Sequence, residues 1–228
     1  MPSDISTLDT EKSFSAILIT SAGFLPAMRI LAASDIHGDR QQAERLAEQA
    51  EKENVDLVVL CGDLTHFEES TEGIIGPFVK RHKKVVIIPG NHESVATTDF
   101  LAEVYGVVNL HGYSIKYKDI GFFGCGGANI PPFQLAESDI FSLLEKGYQG
   151  VRASRTKVLV SHVHPDGSTI DQFTKIFPGS KGLKKAIDTF KPDIVLCGHV
   201  HEAEGIEEIL GKTRVINVGR GGKIIELK

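Results

Sequence analysis

Five short apolar runs in this chain lead into the same kinds of residue, and that regularity constrains the fold more than any other feature. The runs 29–33, 55–60, 85–88, 157–160 and 193–197 are rich in Val, Ile and Leu. Each has the length and composition of a buried strand. Within a few residues of their ends come Asp35 and His37, Asp63, Asn91 and His92, His162, and His199 and His201. Two helices are predicted between the first three runs. The stretch 40–53 puts Ala43, Leu46, Ala47 and Ala50 on one face, and 71–82 carries Pro77 as a weak point. Strand, loop and helix in alternation predict parallel strands joined by crossover helices. In such sheets ligands bind beyond the carboxyl ends of the strands, so all five loops aim at one location.

The second half follows a looser pattern. Runs 114–117 and 121–125 predict a hairpin about Lys118-Asp119, followed by a loop over 126–132. Helices are expected over 137–146 and 182–190, and closing strands over 214–218 and 223–227. The architecture predicted is α/β, with sheet layers packed together and covered by helices.

With 228 residues, 41% of them hydrophobic, residues 28–228 suffice for a single domain with a sizeable core. Residues 1–27 read as an N-terminal extension without an interpretable pattern. Within it, 15–26 is the only candidate targeting signal, and it is short and broken by Ser, Thr and Gly. Asp4, Asp9 and Glu11 precede it against a single Lys12, the wrong charge for a secretory leader. No stretch approaches the roughly 20 apolar residues that a membrane span needs. Cys61, Cys125 and Cys197 show no disulfide or zinc spacing and read as buried hydrophobes, which predicts a reducing, cytoplasmic setting. The formal net charge of −5 argues against an extended nucleic-acid surface and favours a small substrate.

Each polar loop has a bland reading. Asp35 before Gly38 suits a turn, Gly62-Asp63 suits a turn or helix cap, and a lone His162 suits a structural hydrogen bond. For all five to be bland at once is improbable. Read as extended segments, Asp35 and His37 share a side, as do His199 and His201. Carboxylate, imidazole and amide oxygen are hard to borderline donors, suited to Mn, Fe, Zn, Ni or Co. Asp35, His37, Asp63, Asn91, His162, His199 and His201 are too many ligands for one tetrahedral site. They suffice for two divalent transition-metal ions sharing a carboxylate. Such a pair, about 3.5–4 Å apart, can activate a water and clamp a phosphoryl group. Two carboxylates leave that pair a positive charge of about two, which favours a phosphate anion.

In this order the motifs resemble those of the calcineurin-like metallophosphoesterase superfamily. The chain reads Asp35-Ile36-His37, Gly62-Asp63, Gly90-Asn91-His92-Glu93, His162, and Gly198-His199-Val200-His201, and the resemblance covers about 28–201. The resemblance implies a four-layer αββα sandwich of two mixed sheets with helices outside. It implies that Asp35, His37 and His201 hold one metal, that Asn91, His162 and His199 hold the other, and that Asp63 bridges them. His92 matches the family's non-ligand histidine, which protonates the leaving group or stabilises the transition state. A carboxylate such as Asp35 is expected to orient His92 and raise its pKa. The activity implied is hydrolysis of a phosphomonoester or phosphodiester, nucleotides and cyclic nucleotides included, by metal-bound hydroxide. A non-catalytic interaction scaffold of the same fold is the alternative, and retention of His92 with every ligand argues against it. His66 and Asn129 are candidate substrate contacts, and His164 a candidate neighbour of the metal ligands. Arg220 stands where relatives often have serine in Asn-Pro-Gly-Ser, and is read as a surface or structural residue. His82 and His111 are read as ordinary surface or turn residues.

Overall fold

Strand β1 (Met28–Ala33) shows how the layers arise in this computed structural model, which describes residues 27–174 and 176–227. Successive side chains of a strand point to opposite faces. Ile30 and Ala32 accordingly enter one apolar cluster, and Leu31 and Ala33 another. Both sets are fully buried, so the strand is covered on both sides. The same alternation runs through β2 (Leu57–Cys61) and β3 (Val85–Ile88). It recurs in the second half in β6 (Ile120–Cys125), β7 (Thr156–Ser161) and β8 (Ile194–Cys197). Continuous apolar runs are what parallel strands buried on both faces require.

The strands form two mixed sheets. In the first, β1, β2, β3 and the short β4 (Val108–Asn109) run parallel, and β11 (Lys223–Leu227) pairs antiparallel with β1. In the second the order is β5 (Ser114–Tyr117), β6, β7, β8, β10 (Thr213–Asn217), β9 (Glu207–Leu210), with antiparallel pairs only at its two edges. The inward residues of both sheets, among them Val59, Ile88, Phe122, Val160 and Leu196, make one shared core. Helices α1 (Arg40–Lys52), α2 (Gly76–Lys80) and α3 (Val95–Tyr105) follow the first three strands, and their buried residues Leu46, Phe78 and Leu101 join the outer cluster of the first sheet. Helices α4 (Glu137–Val151) and α5 (Lys181–Phe190) cover the second. Helix α5 buries Leu183, Ala186, Ile187 and Phe190, an i, i+3, i+4, i+7 stripe, and Ser180 caps it by accepting from Leu183 N. The four-layer sandwich expected from the motifs is the observed architecture.

Differences from expectation have local causes. The helix expected over 71–82 shrinks to α2, because Pro77 lacks an N–H and sits in the first turn. The residues before it form the loop beside the site. Helix α3 was not anticipated; it buries only Thr98 and Leu101, so it carries little periodic signal. Its end signals were present, with Ser94 accepting from Thr97 N and Gly106 left-handed after the last turn. The hairpin about Lys118-Asp119 is observed, and a second one joins β9 to β10. Of the proposed extension, residues 1–26 lie outside the described residues. Among the described residues no helix is long and apolar enough to cross a membrane, and Cys61, Cys125 and Cys197 are buried and free.

Candidate metal centre

All five ligand-bearing loops leave the carboxyl ends of parallel strands: β1, β2 and β3 in one sheet, β7 and β8 in the other. The site therefore straddles the seam between the sheets. Backbone bonds tie neighbouring loops together, from Asp35 N to Gly62 O, His37 N to Asp63 O and Gly198 N to His162 O. Close approach depends on glycine at two points. A Cβ at Gly90 would lie 2.0 Å from Asp63 Oδ1, and one at Gly62 would lie 2.7 Å from His162 Nδ1. Asp35, His37, Asp63 and His199 all adopt positive φ, from 49° to 70°. For residues other than glycine that conformation is uncommon and strained. The extended geometry assumed for the Asp35/His37 and His199/His201 pairs is thus replaced by left-handed turns.

Two trios emerge. Asp35, His37 and His201 bring one ligand atom each within 4.8 Å of one another, and so do Asp63, His162 and His199. In the first, His37 Nε2 and His201 Nε2 are 3.2 Å apart, with Asp35 Oδ1 3.4 Å from His201 Nε2. In the second, His199 Nδ1 lies 3.2 Å from His162 Nε2, which is also 3.1 Å from Asn91 Oδ1 and 3.4 Å from Asp63 Oδ1. The other oxygen of Asp63, Oδ2, is 3.6 Å from His37 Nε2 and 3.8 Å from His92 Nε2. One carboxylate thus faces both trios. His199 and His201, expected on one side, divide between them. His37, Asp63 and His92 also satisfy the same distance test, so position alone does not set His92 apart from the ligands.

The donor set fits divalent cations on internal grounds. Asp35 Oδ1, the oxygen turned to His201 Nε2 in the first trio, is buried without a hydrogen-bond partner among the described residues. Such groups are rare unless something else satisfies them. Imidazole nitrogens that face each other at 3.2 Å also suit a shared cation. The remaining contacts orient the ligands. His162 Nδ1–H donates to Cys61 O at 2.9 Å, which leaves Nε2 for the site. Asp35 Oδ2 accepts from His199 N at 3.0 Å.

The charges are strongly coupled. Burial would raise the Asp63 pKa, but the charges of His162, His92 and His37 outweigh it and hold the carboxyl well below the usual range. Burial would lower His162, but Asp63 and Asp35 push it up to about 9. His199 falls to about 3 through burial and the charge of His162. His92 corrects an expectation. Its pKa is lowered, chiefly by burial, and the carboxylate that most opposes this is Asp63 rather than Asp35. A lowered pKa makes His92 a stronger proton donor that is charged in a smaller fraction at neutrality.

Sequence reasoning quoted Glu93 but gave it no role. Its carboxylate is fully buried and accepts from Gly90 N at 2.6 Å, Leu64 N at 3.2 Å and Thr65 N at 3.0 Å. It braces the Asp63 loop against the Asn91 loop, and burial followed by the charge of Asp63 raises its pKa to about 7. The signal was its place two residues beyond Asn91. Phe67 was also missed; its ring stacks on His92 at 4.0 Å.

The secondary candidates separate. His66 lines the site cavity with His37 and His92. The Asn129 amide donates to Glu137 and to Pro178 O, so it is engaged within the fold. His164 is buried and turned to Asp171 at 2.7 Å, outside both trios. Arg220 pairs with Asp39, the N-cap of α1, in keeping with a structural role. His82 sits in a turn, but His111 is half-buried and its Nδ1 accepts from Gly126 N.

Comparison with known proteins agrees with this geometry. The model of the calcineurin-like phosphoesterase family matches residues 28–203. An uncharacterised protein of Methanocaldococcus jannaschii is 32% identical over 200 residues, which cover 83% of this chain and 87% of that one. Among solved structures, TT1561 of Thermus thermophilus superposes with a TM-score of 0.68 at 17% identity, covering 89% of this chain and all of that one. A dimetal phosphatase from Danio rerio gives 0.62 at 13% identity, covering 89% and 93%. At such identities these structures speak for the fold. From the family match and the five motif loops gathered at one seam, we conclude that the chain belongs to the calcineurin-like phosphoesterases, enzymes that hydrolyse phosphate esters.

Proposed function

We propose that this protein hydrolyses a small phosphate ester at a centre of two divalent transition-metal ions. The observation that carries the reading is Asp63, whose two oxygens face different trios. Asp35, His37 and His201 would hold one ion, Asn91, His162 and His199 the other, and Asp63 both. When bound, the ions supply activation of a water and charge stabilisation of the phosphoryl group. The chain's own work is positioning. Cys61 O fixes the His162 tautomer, and Glu93 holds the Asp63 and Asn91 loops in register. His92, on the cavity wall, donates a proton from Nε2 to the departing oxygen. The test is elemental analysis with turnover. Two ions per chain, activity lost on chelation and regained with Mn, Ni or Co are expected. Full activity with one ion per chain overturns the bridged centre.

A further inference from the structure

The walls of the site cavity carry a charge pattern that the ligands do not explain. The cavity, of about 350 Å³, is lined by members of both trios, Asn91, His66, His92, Phe177 and Glu202. Among the described residues no Lys or Arg lines it. The arginines that follow the ligand loops in the chain are committed elsewhere, Arg40 to Glu72 at 2.8 Å and Arg220 to Asp39. The added charge is negative. Glu202 directly follows His201 in the short 3-10 turn His201–Ala203; it is exposed, and its charge already acts on His201. The added apolar surface is Phe177, half-buried and edge-on to His199 at 4.9 Å.

We infer that the site selects monoanionic phosphodiesters over dianionic monoesters, with one apolar or planar ester arm lying along Phe177 and Glu202 repelling the second charge. The inference rests on the phosphoesterase reading and deepens it. Two divalent ions with Asp35 and Asp63 keep about two positive charges, which a hydroxide nucleophile and one monoanion neutralise. A monoester, whose second pKa lies near 6, arrives with one negative charge too many. Among the described residues no Lys or Arg of the cavity meets that charge, and Glu202 opposes it. A diester also brings a second arm, and an aromatic wall at the mouth gives it apolar contact. Discrimination of this kind combines an attractive element with a repulsive one.

The test compares bis(p-nitrophenyl) phosphate with p-nitrophenyl phosphate on the metal-loaded full chain at about pH 8, where the monoester is dianionic. The leaving group is shared, so the kcat/KM ratio reports the rest of the substrate. A ratio of about tenfold or more in favour of the diester is expected, and Glu202→Gln should narrow it about fivefold by raising the monoester rate. Calorimetry on phenylphosphonate and its monoanionic methyl ester gives a readout free of turnover. The ester should bind more tightly, and Phe177→Ala should remove most of its advantage over dimethyl phosphate. Equal or better use of the monoester overturns the inference and leaves the phosphoesterase reading standing, as does a Glu202→Gln effect equal on both substrates. Absence of turnover and binding with all these compounds removes the phosphoesterase reading itself.

Discussion

The two ends of the parallel strands use carboxylates in opposite ways. At the amino ends, Asp56 accepts from Arg29 N at 2.8 Å and Asp193 from Lys157 N at 2.7 Å, each tying the start of a neighbouring strand. Arg29 adds an ion pair to Glu53 at 2.9 Å. Asp56 and Asp193 are exposed, Arg29 and Glu53 half-buried, and all four are partnered within the fold. At the carboxyl ends, Asp35 and Asp63 are buried, sit in left-handed backbone and crowd against four histidines. Asp35 Oδ1 has no hydrogen-bond partner among the described residues. Positive φ occurs at the amino ends too, in Asn54, Lys118 and Lys191 shortly before β2, β6 and β8, so backbone strain does not separate the two ends. The buried, unpartnered Asp35 Oδ1 does, and it marks a group held for something outside the chain.

Substitutions at the two ends should therefore fail differently. The largest effect is expected at Asp63. Asp63→Ala should lose both ions by elemental analysis and drop turnover to that of the chelated enzyme. A variant that still holds two ions tightly would show that Asp63 is no bridge. Next comes His92→Ala, which should keep its metals and lose roughly 10²–10⁴-fold in turnover. The loss should shrink for nitrophenolate, which leaves without a proton. An equal loss across leaving groups points to charge stabilisation, and lost metal reassigns His92 as a ligand.

Glu93→Gln tests the brace between loops. One of its oxygens becomes a donor facing N–H groups, so unfolding in denaturant with chelator present should be easier by about 1–3 kcal/mol. An unchanged midpoint would show that the brace holds nothing. The smallest effect belongs to the amino ends. Asp56→Ala should cost about 1 kcal/mol in the same measurement while metal content and turnover stay as in the parent. A lost ion in that variant would break the contrast between the two ends.

Much of the centre was legible because strand and loop repeat in the sequence. Seven ligand candidates could be placed from the ends of apolar runs, and the structure brings all seven to one seam. What was not legible depended on how the loops turn. Spacing of two suggested that His199 and His201 share a side, but a left-handed His199 and the 3-10 turn at His201 separate them. Glu93 lay in plain sight, yet its role needs the Asp63 loop folded over it. Phe177 reaches the cavity from the segment between β7 and α5, whereas Glu202 stands directly after His201 and carried no motif of its own. Helix α3 escaped because it buries too little to leave a periodic trace.

The seam has a consequence for how the protein persists in a cell. Asp35, His37, Asp63 and Asn91 belong to loops of the first sheet, and His162, His199 and His201 to loops of the second. Each ion of the proposed centre would be a clasp across two sheets that otherwise meet through apolar packing and a few hydrogen bonds, such as His162 Nδ1 to Cys61 O and His199 N to Asp35 Oδ2. An ion bound only by the native state stabilises it by about 2.7 kcal/mol when its free concentration is a hundred times its dissociation constant. A cell starved of metal would then hold a chain whose clasped edge opens more readily to proteases, and metal supply would govern how long each copy survives.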